Sequence, residues 1–254
     1  SPQIQIALDG VDNQTANLAY GFAAGILQDY STKLHLSKKT FFRKEVYMIE
    51  RFWYNMNLSN RQYMVPGVVV ILLTILPMML SAMSLVKEKE IGTLEQLQVT
   101  PLLKSELLAG KILPLLILSY IELAVVTFVA VSVFQIQMQG SYLVLGVIAL
   151  LYLIATIGLG VLSSTITETQ QQAMFIAWFF MVFMVLLSGF FIPLENMPES
   201  VRAITYLNPT RYFMTVTRNV FQKGSSFSAL YHQIWPLCLL STGIFSFSLL
   251  KMKK

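Results

Sequence analysis

Charge is absent from four long stretches of this chain: Gln62 to Val86, Leu123 to Thr167, Thr169 to Leu194 and Gly224 to Leu250. Each is long enough to cross about 30 Å of hydrocarbon as a helix, which takes roughly 20 apolar residues. In lipid the backbone has no water to bond, so a spanning segment must be a helix or part of a closed barrel. Barrel strands alternate polar and apolar side chains, whereas these stretches are apolar on every side, which points to helices. Composition agrees: 12% of the 254 residues are charged and 55% are apolar, against roughly 25% charged in a soluble domain. The single cysteine, Cys238, excludes an internal disulfide and any Cys-cluster metal or redox site. A net charge of +5 would suggest nucleic acid in a soluble protein. Here the surplus base is read as flanking membrane spans, and no nucleic-acid partner is expected.

The second uncharged stretch is interrupted by Gln135, Gln137, Gln139, Gly140 and Ser141, a polar turn between two spans. Five spans are therefore expected, Met64 to Val86, Leu107 to Phe134, Tyr142 to Thr165, Ala173 to Ile192 and His232 to Leu250. Residues 1–63 differ in kind. Gln3 to Leu8 alternates like a half-buried strand and stops at Asp9-Gly10; Leu18, Phe22, Ile26 and Leu27 then repeat with helical spacing. Beyond the basic Lys38 to Lys44 region, Val46 to Tyr54 reads as a second strand. The expected fold is an all-α transmembrane bundle over residues 64–254, preceded by a partial α/β domain at residues 1–63. Lys and Arg nearly balance between the two sides once the first 50 residues are set aside. The Lys251, Lys253, Lys254 tail and the Lys87 to Lys111 loop lie close to span ends, which favours a cytoplasmic position for both.

That loop is the longest charged segment between spans. Thr93 and Gln96 have the spacing of a capping box, Leu94 and Leu97 share one side of the helix it would start, and Glu95 and Gln98 share another. Thr100-Pro101 supplies an N-cap and first helical residue for the next span. An ordinary solvated loop has the same composition.

The run Glu88-Lys-Glu-Ile-Gly-Thr-Leu-Glu-Gln-Leu-Gln-Val-Thr-Pro101, continuing through Glu106-Leu-Leu-Ala-Gly-Lys-Ile-Leu-Pro114, resembles the cytoplasmic loop of type-2 ABC exporter permeases. Asn60-Arg-Gln-Tyr-Met-Val-Pro-Gly67 is similar to the start of that family's second span, and Thr169-Gln-Gln-Gln-Ala-Met174 to the loop before its fifth. Ser188-Gly-Phe-Phe-Ile-Pro-Leu-Glu-Asn-Met-Pro198 with Tyr206-Leu-Asn-Pro-Thr-Arg-Tyr-Phe213 is similar to its external re-entrant segment. The resemblance implies six spans per subunit, an external domain between the first two, and a cytoplasmic C-terminus, so the first span and the start of the external domain would lie outside this sequence. It also implies a bacterial inner-membrane location and partners: two ATP-binding subunits, a second permease copy or paralogue, membrane lipids and a periplasmic adaptor. Ile91 to Val99 becomes the coupling helix, with Glu90, Gly92, Thr93, Leu94, Glu95 and Leu97 facing the ATPase.

The chain carries no phosphate-binding loop of its own. Its only Gly-Lys pair, Gly110-Lys111, has Ser105 where the loop's first glycine belongs and Ile112 where its hydroxyl belongs, so ATP and magnesium are expected in a partner and no cofactor here. His35 and His232 lie far apart with no ligand spacing near either, so no catalytic or metal residue is expected. Glu122 is an acid deep inside a span, at a cost of about 2.5 to 3.5 kcal/mol on insertion scales. It is read either as part of a substrate path or as a structural hydrogen bond to Ser119, Tyr152 or Thr156. The aromatic and methionine run Phe175 to Met184 is read as packing or lipid-facing surface sooner than as a pocket for hydrophobic compounds. Pro193 to Gly224 should dip into the outer leaflet, with Pro198 to Leu207 and Thr210 to Gln222 as two short helices divided at Asn208-Pro209. In it Arg211, Arg218 and Lys223 are expected at the headgroups. The expected function is export of a hydrophobic or amphipathic compound; the alternative is a membrane scaffold or receptor with an external partner-binding domain.

Overall fold

The structure is a computed structural model that describes residues 13–37, 60–92 and 104–252. Its helices are α1 (Asn13–Ser37), α2 (Asn60–Ile91), α3 (Lys104–Ser132), α4 (Tyr142–Thr165), α5 (Gln170–Leu186), α6 (Glu199–Thr205), α7 (Pro209–Lys223) and α8 (Tyr231–Met252). Short 3-10 turns at Leu194–Asn196 and Phe227–Leu230 precede α6 and α8. The chain divides into two compact units, Ser1–Tyr63 and Met64–Lys254.

Two expectations are corrected. The fold class is all-α: among the described residues every regular element is helical and none is a strand, and the described part of residues 1–59 is the single helix α1. The segments read as strands, Gln3 to Leu8 and Val46 to Tyr54, lie outside the described residues. The second correction concerns the spans. Among the described residues four helices, not five, are long and apolar enough to cross a membrane, within Arg61–Ile91, Ala109–Ser132, Tyr142–Thr165 and Phe227–Lys251. The expected span Ala173 to Ile192 stops early, because α5 has 17 residues, about 25 Å at 1.5 Å per residue. Absence of charge continues to Leu194, but helical backbone does not. The Ser188 hydroxyl donates to the Val185 carbonyl at 2.6 Å, and Gly189 takes φ +81°, which ends the helix.

α4 is the centre of the second unit, packing against α8, α7, α5 and α3. Small residues bring it close to its neighbours: a Cβ on Gly160 would collide with the Ser81 hydroxyl and Met78 carbonyl of α2. With no hydrophobic force between helices in lipid, such close approach and interhelical hydrogen bonds hold a bundle together. The Tyr120 hydroxyl of α3 donates to the Gly146 carbonyl at 2.9 Å, and the Ser248 hydroxyl of α8 donates to the Gly158 carbonyl at 2.6 Å. Ser141 caps α4 by accepting from the Leu143 amide at 3.2 Å, so the polar turn at residues 135–141 does start a new helix.

Candidate functional site

The second unit concentrates its polar contacts at two ends. At one, α2 finishes in Lys87, Glu88, Lys89 and Glu90, and three of these reach three different helices. Glu88 forms an ion pair with Lys111 of α3, both side chains being largely buried. Lys89 Nζ donates to the Ser164 and Thr167 carbonyls at 2.7 and 3.3 Å, at the C-terminal end of α4. Glu90 Oε2 accepts from the Gln170 backbone amide at 3.2 Å and from Gln170 Nε2 at 2.8 Å, at the start of α5. A cation among terminal carbonyls and a carboxylate at an N-terminus are the signs that helix dipoles favour. α5 also carries its own cap, the Thr169 hydroxyl accepting from the Gln172 amide at 3.3 Å.

Gly92 follows at once, with φ +78°, its amide bonded to the Lys89 carbonyl at 3.1 Å. A Cβ there would meet nothing within 4 Å, so glycine is needed for the backbone turn and not for space. Thr93, Leu94, Glu95 and Leu97 lie outside the described residues.

At the opposite end, Pro193 and Pro198 precede the 3-10 turn and α6. Asn208 caps α7 by accepting from the Thr210 amide at 3.0 Å, with Pro209 as first residue, and its Nδ2 donates to the Met184 carbonyl of α5 at 2.7 Å. Phe213, Val216 and Phe221 are buried. Burial pushes the Tyr212 phenol above its ordinary range, so it remains a hydroxyl and donates to the Tyr206 carbonyl at 2.9 Å. Arg211 and Arg218, expected at headgroups, direct hydrogen bonds into the chain: Arg211 Nη1 to the Thr205 hydroxyl at 2.5 Å and Arg218 Nη1 to the Gly189 carbonyl at 3.1 Å. Arg211 also lies over the Tyr206 ring, 3.9 Å from its centre.

Glu122 faces the partly buried side of α3, and its Oε1 is buried without a hydrogen-bond partner among the described residues. The three candidates from sequence direct their protons elsewhere. Ser119 donates to the Leu115 carbonyl, Thr156 to the Leu153 carbonyl, and the Tyr152 hydroxyl bonds Thr74 and Thr210. Lys89, Gln170, Tyr152 and Thr210 carry contacts that sequence reasoning missed. Only Gln170 had a local signal, the adjacent Thr169-to-Gln172 capping pattern.

Helices of this length, with polar side chains used to join helix ends, define a multi-pass helical membrane protein. The family described as ABC-2 type transporter matches residues 40–221. The chain is 31% identical over 252 residues to the probable multidrug ABC transporter permease YbhR of Escherichia coli K12, covering 98% of this chain and 68% of that protein. It is 32% identical over 224 residues to the probable multidrug ABC transporter permease YbhS of the same organism, 87% of this chain and 59% of that protein. To the inner membrane transport permease YhhJ of Escherichia coli K12 it is 26% identical over 257 residues, 100% of this chain and 68% of that protein. The chain belongs to the ABC-2 type transporter family. It is the membrane permease part of an ATP-binding cassette transporter and works with a separate ATP-hydrolysing subunit, which sets the scaffold alternative aside.

Proposed function

We propose that this permease exports a hydrophobic or amphipathic compound across a bacterial inner membrane, as a dimer with a second copy or paralogue and two ATP-binding subunits. The names of the relatives support cargo and location: two are described as probable multidrug permeases and one as an inner membrane permease. The observation that carries the mechanism is the polar end of the bundle, where the last turn of α2 touches α3, α4 and α5 two to four residues before Gly92. The loop from Ile166 to Thr169 is too short to offer a docking helix. The Lys87 to Lys111 side is therefore cytoplasmic and meets the ATPase through residues 91–99. Leu94 and Leu97 supply an apolar anchor and Glu95 part of its polar surround, the usual division between affinity and orientation. The N-terminal residues lie outside with Pro193 to Gly224, and the C-terminus is cytoplasmic. Glu122 lies on the substrate path, and an external adaptor would complete the route out of the cell.

The test is the double substitution Leu94→Ser and Leu97→Ser in the permease coexpressed with its ATPase. The variant should insert normally, since neither residue belongs to a span, and should lose the ATPase on purification or hydrolyse ATP without transport. Normal association and normal export would remove the assignment.

A further inference from the structure

Successive residues on an α-helix project about 100° apart, so three in a row sweep some 200° of its circumference. Glu88, Lys89 and Glu90 use that spread to hold three different helices: Lys111 in α3, the terminal carbonyls of α4, and the amide and side chain of Gln170 opening α5. A solvated run of alternating charge would face water and bind nothing fixed. Here two of the three contacts satisfy helix-end groups that otherwise have no intrahelical partner. The Lys89 and Glu90 contacts also join positions 75 to 80 residues apart in sequence.

We infer that Glu88, Lys89 and Glu90 are positioning residues for transport, a clamp through which movement imposed beyond Gly92 is passed to α3, α4 and α5 together. α2 is helical without interruption to Ile91, so a displacement at Gly92 reaches the clamp within one turn. α4 and α5 are separated only by residues 166–169, so Lys89 on one side of that loop and Glu90 on the other make the hairpin follow α2 as a unit. The inner loop that lacks a docking helix is thereby driven by the one that leads to it. This inference rests on the proposal that residues 91–99 meet the ATPase.

The experiment compares Lys89→Ala, Lys89→Arg, Glu90→Ala, Gln170→Ala and the Glu90→Ala/Gln170→Ala pair in the full permease–ATPase complex in lipid vesicles. Transport of a fluorescent hydrophobic amine, ATP hydrolysis and the unfolding midpoint are read on each sample. Glu90 is exposed, so its truncation leaves the packed bundle intact even where Lys89→Ala does not. In Lys89→Ala ATP hydrolysis should be retained while transport per ATP falls about ten-fold, the factor that one charge-assisted hydrogen bond supplies when it favours one arrangement; in Glu90→Ala, whose contact is exposed and screened, the same ratio should fall about two- to five-fold. Lys89→Arg should restore most of it, and the Glu90/Gln170 pair should be no worse than Glu90→Ala alone, because Glu90→Ala already removes both bonds, whereas Gln170→Ala keeps the one from the backbone amide. A purely structural clamp would lower the unfolding midpoint and reduce transport and hydrolysis in proportion. That result, or an unchanged ratio in every variant, overturns the inference. The two proposals fail separately: normal coupling in the Leu94/Leu97 variant removes the docking proposal, whereas an unchanged ratio in Glu90→Ala, with docking lost in the Leu94/Leu97 variant, removes only the clamp.

Discussion

Tyr152 offers the sharpest energetic test of how the helix pair α6–α7 is held to the bundle. Its side chain is fully buried in α4. The hydroxyl lies 2.5 Å from Thr74 Oγ1 of α2 and 3.2 Å from Thr210 Oγ1 in the first turn of α7. The ring stacks on Phe213, centroids 4.3 Å apart and planes 11° from parallel. Thr74 already donates its proton to the Val70 carbonyl at 2.7 Å, so Tyr152 donates to Thr74 and accepts from Thr210. Tyr152→Phe removes both bonds and keeps the stack. Interhelical hydrogen bonds in a membrane average about 0.6 kcal/mol and reach about 1.7, so the two together should cost about 1 to 2 kcal/mol. Tyr152→Ala also removes the ring. Aromatic truncation in a water-soluble core costs about 3 to 5 kcal/mol. In a bilayer the unfolded side chain rests in lipid and not in water, so most of the transfer contribution is missing and lost packing dominates. The lower end, about 3 kcal/mol, is therefore expected. Reversible unfolding by dodecyl sulfate in lipid–detergent micelles measures both. A double-mutant cycle of Tyr152→Phe with Thr74→Val should give a coupling of about 0.6 to 1.7 kcal/mol. The reasoning is refuted if Tyr152→Phe is neutral or costs as much as Tyr152→Ala.

Asn208→Ala should cost about 1 to 2 kcal/mol in the same assay, because it removes the cap on the Thr210 amide and the bond to the Met184 carbonyl together. Asn208→Asp, which keeps only the cap, should fall between; a cost equal to that of Ala would show that the cap contributes nothing. Cysteines placed at Glu199 and Lys223, in a Cys238→Ser background, should react with an impermeant thiol reagent added outside the cell, and labelling from the cytoplasmic side alone would refute the external placement of α6 and α7. Glu122→Gln should express normally yet lose transport of a cationic amphipathic dye, because the buried oxygen, without a hydrogen-bond partner among the described residues, then carries no charge. Full transport by the Gln variant, with loss of expression for Glu122→Ala, would make the residue structural.

The position of most spans was legible in the sequence because the bilayer imposes a rule that acts residue by residue: about 20 positions without charge. Helix starts were expected at Tyr142, Ala173 and Thr210 and fall at Tyr142, Gln170 and Pro209, where Ser141, Thr169 and Asn208 bond amides only two or three residues away. The length of α5 was not legible. Hydropathy is blind to backbone conformation, and the uncharged residues after Leu186 leave the helix through the Ser188 back-bond and the left-handed Gly189. The α/β expectation for residues 1–63 is contradicted, since every regular element among the described residues is helical and none is a strand. Lys89 illustrates the limit most clearly. Its acceptors are main-chain carbonyls at the end of α4 and in the loop after it, and every residue carries an identical carbonyl, so nothing in the side-chain sequence marks the ones that will be within reach. Tyr152 likewise meets Thr74 and Thr210 from 78 and 58 residues away. Which polar side chains a membrane will contain is written in local composition, whereas which of them meet is decided only when the helices pack.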